Sequence, residues 1–177
     1  MTAAKTPPVG RNVEPESIFA PIDPLDGLVG QAAALARGEV SSRELAERSL
    51  ARIEATQPAL NAFRIVCAEQ ALADAVEADR RLGEGERAPL LGVPVAIKDD
   101  VDLAGHETPF GCAGEHRVAE RDAEPVRRLR AAGAIVVGKT NAPEVGQWHF
   151  SETDAFGATR NPWHLEHTPG GSSGGAA

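Results

Sequence analysis

Cysteine is scarce in this chain: Cys67 and Cys112 are the only two in 177 residues. That excludes a disulfide framework and a cysteine-ligated metal cluster, and it marks both as buried thiols rather than nucleophiles. Long apolar runs are also missing. No stretch reaches the length of a membrane-spanning helix, and the opening Met1-Thr2-Ala3-Ala4-Lys5-Thr6-Pro7-Pro8 has no apolar core of signal-peptide length. These absences predict a reducing, cytoplasmic location and no membrane partner. Positive charge is in deficit: 18 Lys and Arg against 26 Asp and Glu give a net charge of −8. An acidic surface of this kind serves solubility and disfavours nucleic acid as a partner. Internal repeats and low-complexity segments are absent too. What remains, 42% hydrophobic and 25% charged residues, is ordinary for a globular protein with one core.

Along the chain, residues 1–22 are rich in Pro, Glu and Thr and predict a mobile tail. Asp23-Pro24 has the form of a helix start, and Leu25, Leu28, Ala32 and Leu35 follow helical spacing to a stop at Gly38. Ser41 and Glu44 form a capping box ahead of Leu45, Ala46, Leu50 and Ile53, in a helix expected to end at Gln57-Pro58. A short strand is expected within Asn61–Cys67, then a third amphipathic helix from Ala68 to about Gly83.

The second half changes character. Val93–Ile97 is apolar at every residue, as expected of a strand covered on both faces. Asp122 can cap a helix ending at Gly133, and Ala134-Ile135-Val136-Val137 is a second apolar strand. Strand, helix and strand in that order predict a parallel crossover. The class is α/β, with N-terminal helices followed by the first strands of a mixed sheet covered by helices.

Gly133-Ala134-Ile135-Val136-Val137-Gly138-Lys139-Thr140 matches the phosphate-loop pattern letter for letter. That loop must follow a strand, wrap its amides around phosphates and open a helix at the lysine. Here the middle positions are themselves the strand, and Asn141-Ala142-Pro143 follows where a helix should propagate. Coincidence is the better account, and a nucleotide-binding module remains the rival from another class; tight ATP binding would revive it.

Lys98 closes the run Leu90-Leu91-Gly92-Val93-Pro94-Val95-Ala96-Ile97-Lys98, and Gly170-Gly171-Ser172-Ser173-Gly174-Gly175 lies near the end of the chain. One offers an amine at a strand tip, the other serines on a glycine-rich loop. A lysine acting as a base must shed its proton near neutrality, a shift from about 10.4 to about 7 worth roughly 4 to 5 kcal/mol. Burial supplies such a shift and nearby carboxylates oppose it. Strand alternation sends Asp99 to the face opposite Lys98, which leaves Asp100 as the awkward neighbour.

Four ordered segments resemble the amidase signature family: Gly92–Asp99, Val137-Gly138-Lys139-Thr140-Asn141, Phe156–Trp163 and Thr168–Gly175. The similarity runs from about Leu25 to the last residue. It implies an incomplete amidase signature fold, with residues 23–177 forming the N-terminal part of an amidase domain truncated before its nucleophile. It also implies a Ser–cis-Ser–Lys triad in which Lys98 is the catalytic lysine and Ser172 the bridging serine after a cis bond. Gly170, Gly171, Ser173 and Gly174 would support the loop, and Gly146 and Gln147 would line the substrate pocket. The nucleophile of such enzymes lies in a later Gly-Gly-Ser segment, so neither Ser172 nor Ser173 takes its place.

The implied activity is hydrolysis of carboxylic amides through an acyl-enzyme without cofactor or metal. His149, His164 and His167 are accordingly surface histidines, and Trp148 and Trp163 packing residues. The A subunit of a tRNA-dependent amidotransferase is the alternative within the family, disfavoured by Ala142-Pro143-Glu144 where that branch carries Met-Asp-Glu. A non-catalytic remnant is a further alternative. The residues alone are expected to be inactive, to take a small-molecule amide only within a complete domain, and to form a homo-oligomer through open strand edges.

Overall fold

The computed structural model describes residues 27–177. The expected tail over 1–22 and the helix start at Asp23-Pro24 lie outside them. Four helices and a mixed sheet follow: α1 Leu28–Arg37, α2 Ser42–Leu60, β1 Phe63–Val66, α3 Ala68–Gly83, β2 Pro94–Lys98, α4 Glu124–Ala131 and β3 Ile135–Thr140. Beyond β3 the chain makes a 3-10 turn at Glu144–Gly146, a ribbon of β4 (Glu152–Thr153) with β5 (Gly157–Ala158), and a closing 3-10 turn at Gly174–Ala176. No helix among the described residues is long and apolar enough to cross a membrane.

Local signals set most boundaries. α1 stops at Gly38, whose φ of 70° is the left-handed conformation that glycine adopts without a Cβ penalty. α2 opens on the reciprocal Ser41–Glu44 capping box. It does not end at Gln57-Pro58, however, but runs through Pro58 to Leu60. A proline in the last turn removes one amide donor, and the end is secured instead by Asn61, left-handed at φ 48°, whose N–H reaches Gln57 O at 2.9 Å. The Gln57 carboxamide then binds Ala62 N and Phe63 N through its oxygen and Phe63 O through its nitrogen, leading the chain into β1.

Asp122 does not cap α4; Ala123 holds that position. Its carboxylate instead accepts from Ala104 N at 2.9 Å and pairs with Arg130 at 3.1 Å. The competing partners lie far off in sequence, where local spacing cannot reveal them.

The sheet has the order β1-β3-β2, antiparallel on one side of β3 and parallel on the other. β3 is buried at all six positions and extends through Gly138, Lys139 and Thr140, so six of the eight phosphate-loop letters, Ile135 to Thr140, are strand. β2 departs from the expected double cover: it is an edge strand of this sheet, and Ala96 is exposed. Pro94, without an N–H, suits such an edge.

Hydrophobic burial divides by sheet face. Ile135 and Val137 pack with Ala46, Ile53, Ala71 and Ala75 of α2 and α3, while Val136 and Ile97 pack with Leu103 and Val126 of α4. The parallel register slips by one residue between Val95 and Ala96, pairing Val95 with Val136 but Ala96 with Gly138. The extra residue in β3 puts Lys139 beside Ile97, on the α4 face, and Thr140 beside Lys98, on the other.

Candidate active site

Alternation at the end of β2 separates two adjacent charges. Asp99 turns to the α4 face and is almost fully buried, where it meets Arg64 of β1 and, at 2.9 Å, Lys139. Arg64 and Lys139 each donate also to Glu107 O, at 2.8 and 2.9 Å, and Lys139 to Thr108 Oγ1 at 2.9 Å. Lys139 is therefore completely enclosed and spent on internal partners. The nucleotide-binding rival loses its lysine. Two buried cations around one carboxylate also act on their surroundings: burial first, then Lys139 and Arg64, hold the His106 imidazole below its ordinary range. Burial pushes the neighbouring Cys67 thiol up, away from thiolate. Cys67 and Cys112 are both half-buried.

Lys98 points to the opposite face. Its Nζ donates to Ser172 Oγ at 2.7 Å and pairs with Asp100 Oδ2 at 2.9 Å. Lysine and serine are 74 positions apart in sequence. Asp100 Oδ1 and Thr140 Oγ1 are buried without a hydrogen-bond partner among the described residues.

The glycine loop is placed by close backbone packing. The Gly171–Ser172 peptide bond is cis, and Gly170 has a φ of 98°. A Cβ on Gly171 would run into Trp148 O and lie 2.8 Å from Phe150 N, so only glycine lets the loop settle on that segment. A Cβ on Gly174 would strike the Ser151 hydroxyl, which itself donates to Gly170 O at 3.0 Å. Gly175 N reaches Asn141 O at 3.2 Å, and Asn141 is tied to Asn61 O and Ala62 O at 2.8 Å each. The end of β3 thereby anchors the loop carrying Ser172. Ser173 is exposed, and its side chain makes no capping hydrogen bond to the closing turn.

Gly146 and Gln147 fall in and after the Glu144–Gly146 turn. A Cβ on Gly146 would come within 3.8 Å of Asp100 Oδ2, which puts this turn beside the lysine, while Gln147 is exposed. Val145 holds φ 54° and is 60% exposed, a conformation that a β-branched residue adopts only under constraint. Its amide is fixed to Phe110 O at 2.7 Å. Val145→Asn, which tolerates this region, is expected to stabilise the fold by about 1 kcal/mol. A urea midpoint that rises at constant slope would show it.

The aromatic and histidine residues differ from expectation in part. Trp148 is 50% exposed and stacks on Phe150 at 5.7 Å, and Trp163 is 79% exposed. His164 and His167 stack at 4.0 Å, and among the described residues no group of three or more His, Cys, Asp or Glu is placed to hold a metal ion.

Against known proteins, the family model described as Amidase matches residues 44–177. AmiA2 of Mycobacterium tuberculosis, an amidase by name, is 59% identical over 143 residues, covering 81% of this chain and 30% of that protein. A glutamyl-tRNA(Gln) amidotransferase subunit of Geotalea daltonii is 49% identical over 146 residues, covering 81% and 30%. The peptide amidase of Stenotrophomonas maltophilia superposes with a TM-score of 0.76 at 36% identity, covering 88% of this chain and 33% of that one. The chain thus spans about a third of the length of these relatives.

Proposed function

This chain belongs to the amidase family, and from that premise we propose that residues 27–177 carry the proton-relay half of an amide-hydrolysing site. The observation that supports it most is the 2.7 Å contact between Lys98 Nζ and Ser172 Oγ. In this reading Lys98, once neutral, takes the proton of Ser172 Oγ. Ser172 in turn takes the proton of a nucleophilic serine supplied by the remainder of the domain. That serine's oxygen bonds to the amide carbonyl carbon. The relayed proton passes to the amide nitrogen, the C–N bond breaks, and water then cleaves the acyl-enzyme to free acid. No step calls for a cofactor or a metal.

Gly146 and Gln147, on the turn beside Asp100, would line the approach of a small-molecule amide. Higher identity to AmiA2 than to the amidotransferase subunit, 59% against 49%, supports a stand-alone amidase over ammonia supply to a partner.

The test is steady-state turnover of aryl, aliphatic and peptidyl primary amides. Residues 1–177 alone are expected to show none. The same residues joined after Ala177 to the remaining portion of AmiA2 are expected to release acid and ammonia. A folded joined protein that turns over none of these amides sinks the reading, and so does turnover by residues 1–177 alone.

A further inference from the structure

We propose that Asp100 is a positioning residue of this site, holding the Lys98 amine against Ser172 Oγ. The inference rests on the reading of Lys98 and Ser172 given above and goes beyond it. From strand alternation alone Asp100 counts as an obstacle to a lysine base; the geometry gives it a task.

A lysine side chain has four rotatable bonds, and one hydrogen bond to a hydroxyl does not fix its end. Asp100 Oδ2 supplies the second anchor at 2.9 Å, with the lysine side chain 18% exposed and the aspartate 24%. Asp99 cannot do this, because it is engaged with Arg64 and Lys139 on the other face. The position of Asp100 is itself fixed through a turn closed by Val101 N to Lys98 O at 3.1 Å.

The carboxylate has no other duty among the described residues. It caps no backbone amide, and its Oδ1 is buried without a partner. A buried acceptor left unpaired is destabilising. An aspartate serving the fold alone would have both oxygens engaged, as Asp99 and Asp122 do. Committed to Lys98, it does two things. It aims the amine at Ser172, and it faces the positive charge that appears on Nζ when the Ser172 proton arrives there.

The chain has three lysines, Lys5, Lys98 and Lys139, so the test is spectroscopic. Ammonium protons locked in hydrogen bonds exchange slowly with water and give side-chain 1H–15N correlations in 15N-lysine-labelled protein. In the 177-residue chain Lys98, assigned by its loss in Lys98→Arg, is expected to show such a correlation with a hydrogen-bond coupling to the Asp100 carboxylate carbon. Asp100→Asn is expected to abolish it while the buried Lys139 correlation persists as a fold control. Asp100→Glu, which keeps the charge, should restore it in part.

Survival of the Lys98 signal in Asp100→Asn overturns the proposal. Loss of the Lys139 signal in both variants would make Asp100 a fold residue and overturn it equally. If only Asp100→Asn unfolds, Asp100→Glu decides, by whether Lys98 regains its signal. Turnover plays no part in these spectra, so a failed amidase assay and a failed positioning role are separate results.

Discussion

Asp99→Ala is expected to abolish cooperative folding of residues 27–177. The substitution removes the one carboxylate between Arg64 and Lys139, whose side chains are 13% and 0% exposed. Two like charges then face each other, Lys139 fully enclosed and Arg64 largely so. Removing one partner of a buried ion pair costs about 3 to 5 kcal/mol, against roughly 5 to 15 kcal/mol for a whole domain. A piece whose sheet has the edge strand β2 only partly covered belongs at the lower end of that range.

Lys139→Met should cost less, because Arg64 and Asp99 still neutralise each other. Urea unfolding of the three proteins tests the order. An Asp99→Ala midpoint close to the parent's would mean that the charges around Asp99 are solvated and the enclosed cluster is not what holds β1, β2 and β3 together.

Lys98→Ala, in the joined protein that completes the domain, is expected to lower kcat/KM by about 100- to 10,000-fold, the usual worth of a positioned general base. KM should move little, since the amine contacts Ser172 and Asp100 rather than the approach beside Gly146. Lys98→Arg should be no better, because a guanidinium does not give up its proton under these conditions and its planar fork does not fit a site shaped for a point donor. The measurement is steady-state kinetics on an aryl amide, with the melting curve of each variant as a control. A loss of less than tenfold in a well-folded Lys98→Ala protein would move the base elsewhere.

The elements that local physics controls were legible before any coordinates. Ser41 and Glu44 announced a helix start, Gly38 a stop, and the β-branched run before Gly138 a strand. The proximity of Lys98 and Ser172 was legible only through the four ordered segments, since no property of a lysine at a strand tip reveals a partner 74 positions away.

What stayed hidden has a common cause. Asp122, Gln57 and Asp99 all spend their side chains on distant backbone or charge, and spacing rules see only neighbours. One signal was overlooked. Lys139 follows four apolar residues and a glycine in a strand reading as buried, and an enclosed ammonium demands a carboxylate close by. Asp99, next to the other strand's lysine, was the natural candidate. Its enclosed partner explains why a phosphate-loop lookalike binds inward instead of presenting its lysine to solvent.

The one-residue slip between β2 and β3 reaches further than its size suggests. It sorts two lysines to opposite sides of the same sheet, Lys98 toward Ser172 and Lys139 into the enclosed cluster around Asp99. The register between these two strands is therefore as binding a constraint as residue identity. A regular ladder over the same residues would set Lys139 opposite Lys98 and Thr140 opposite Asp99 with every side chain still present, turning an enclosed cation toward Lys98 and leaving Asp99 facing a hydroxyl.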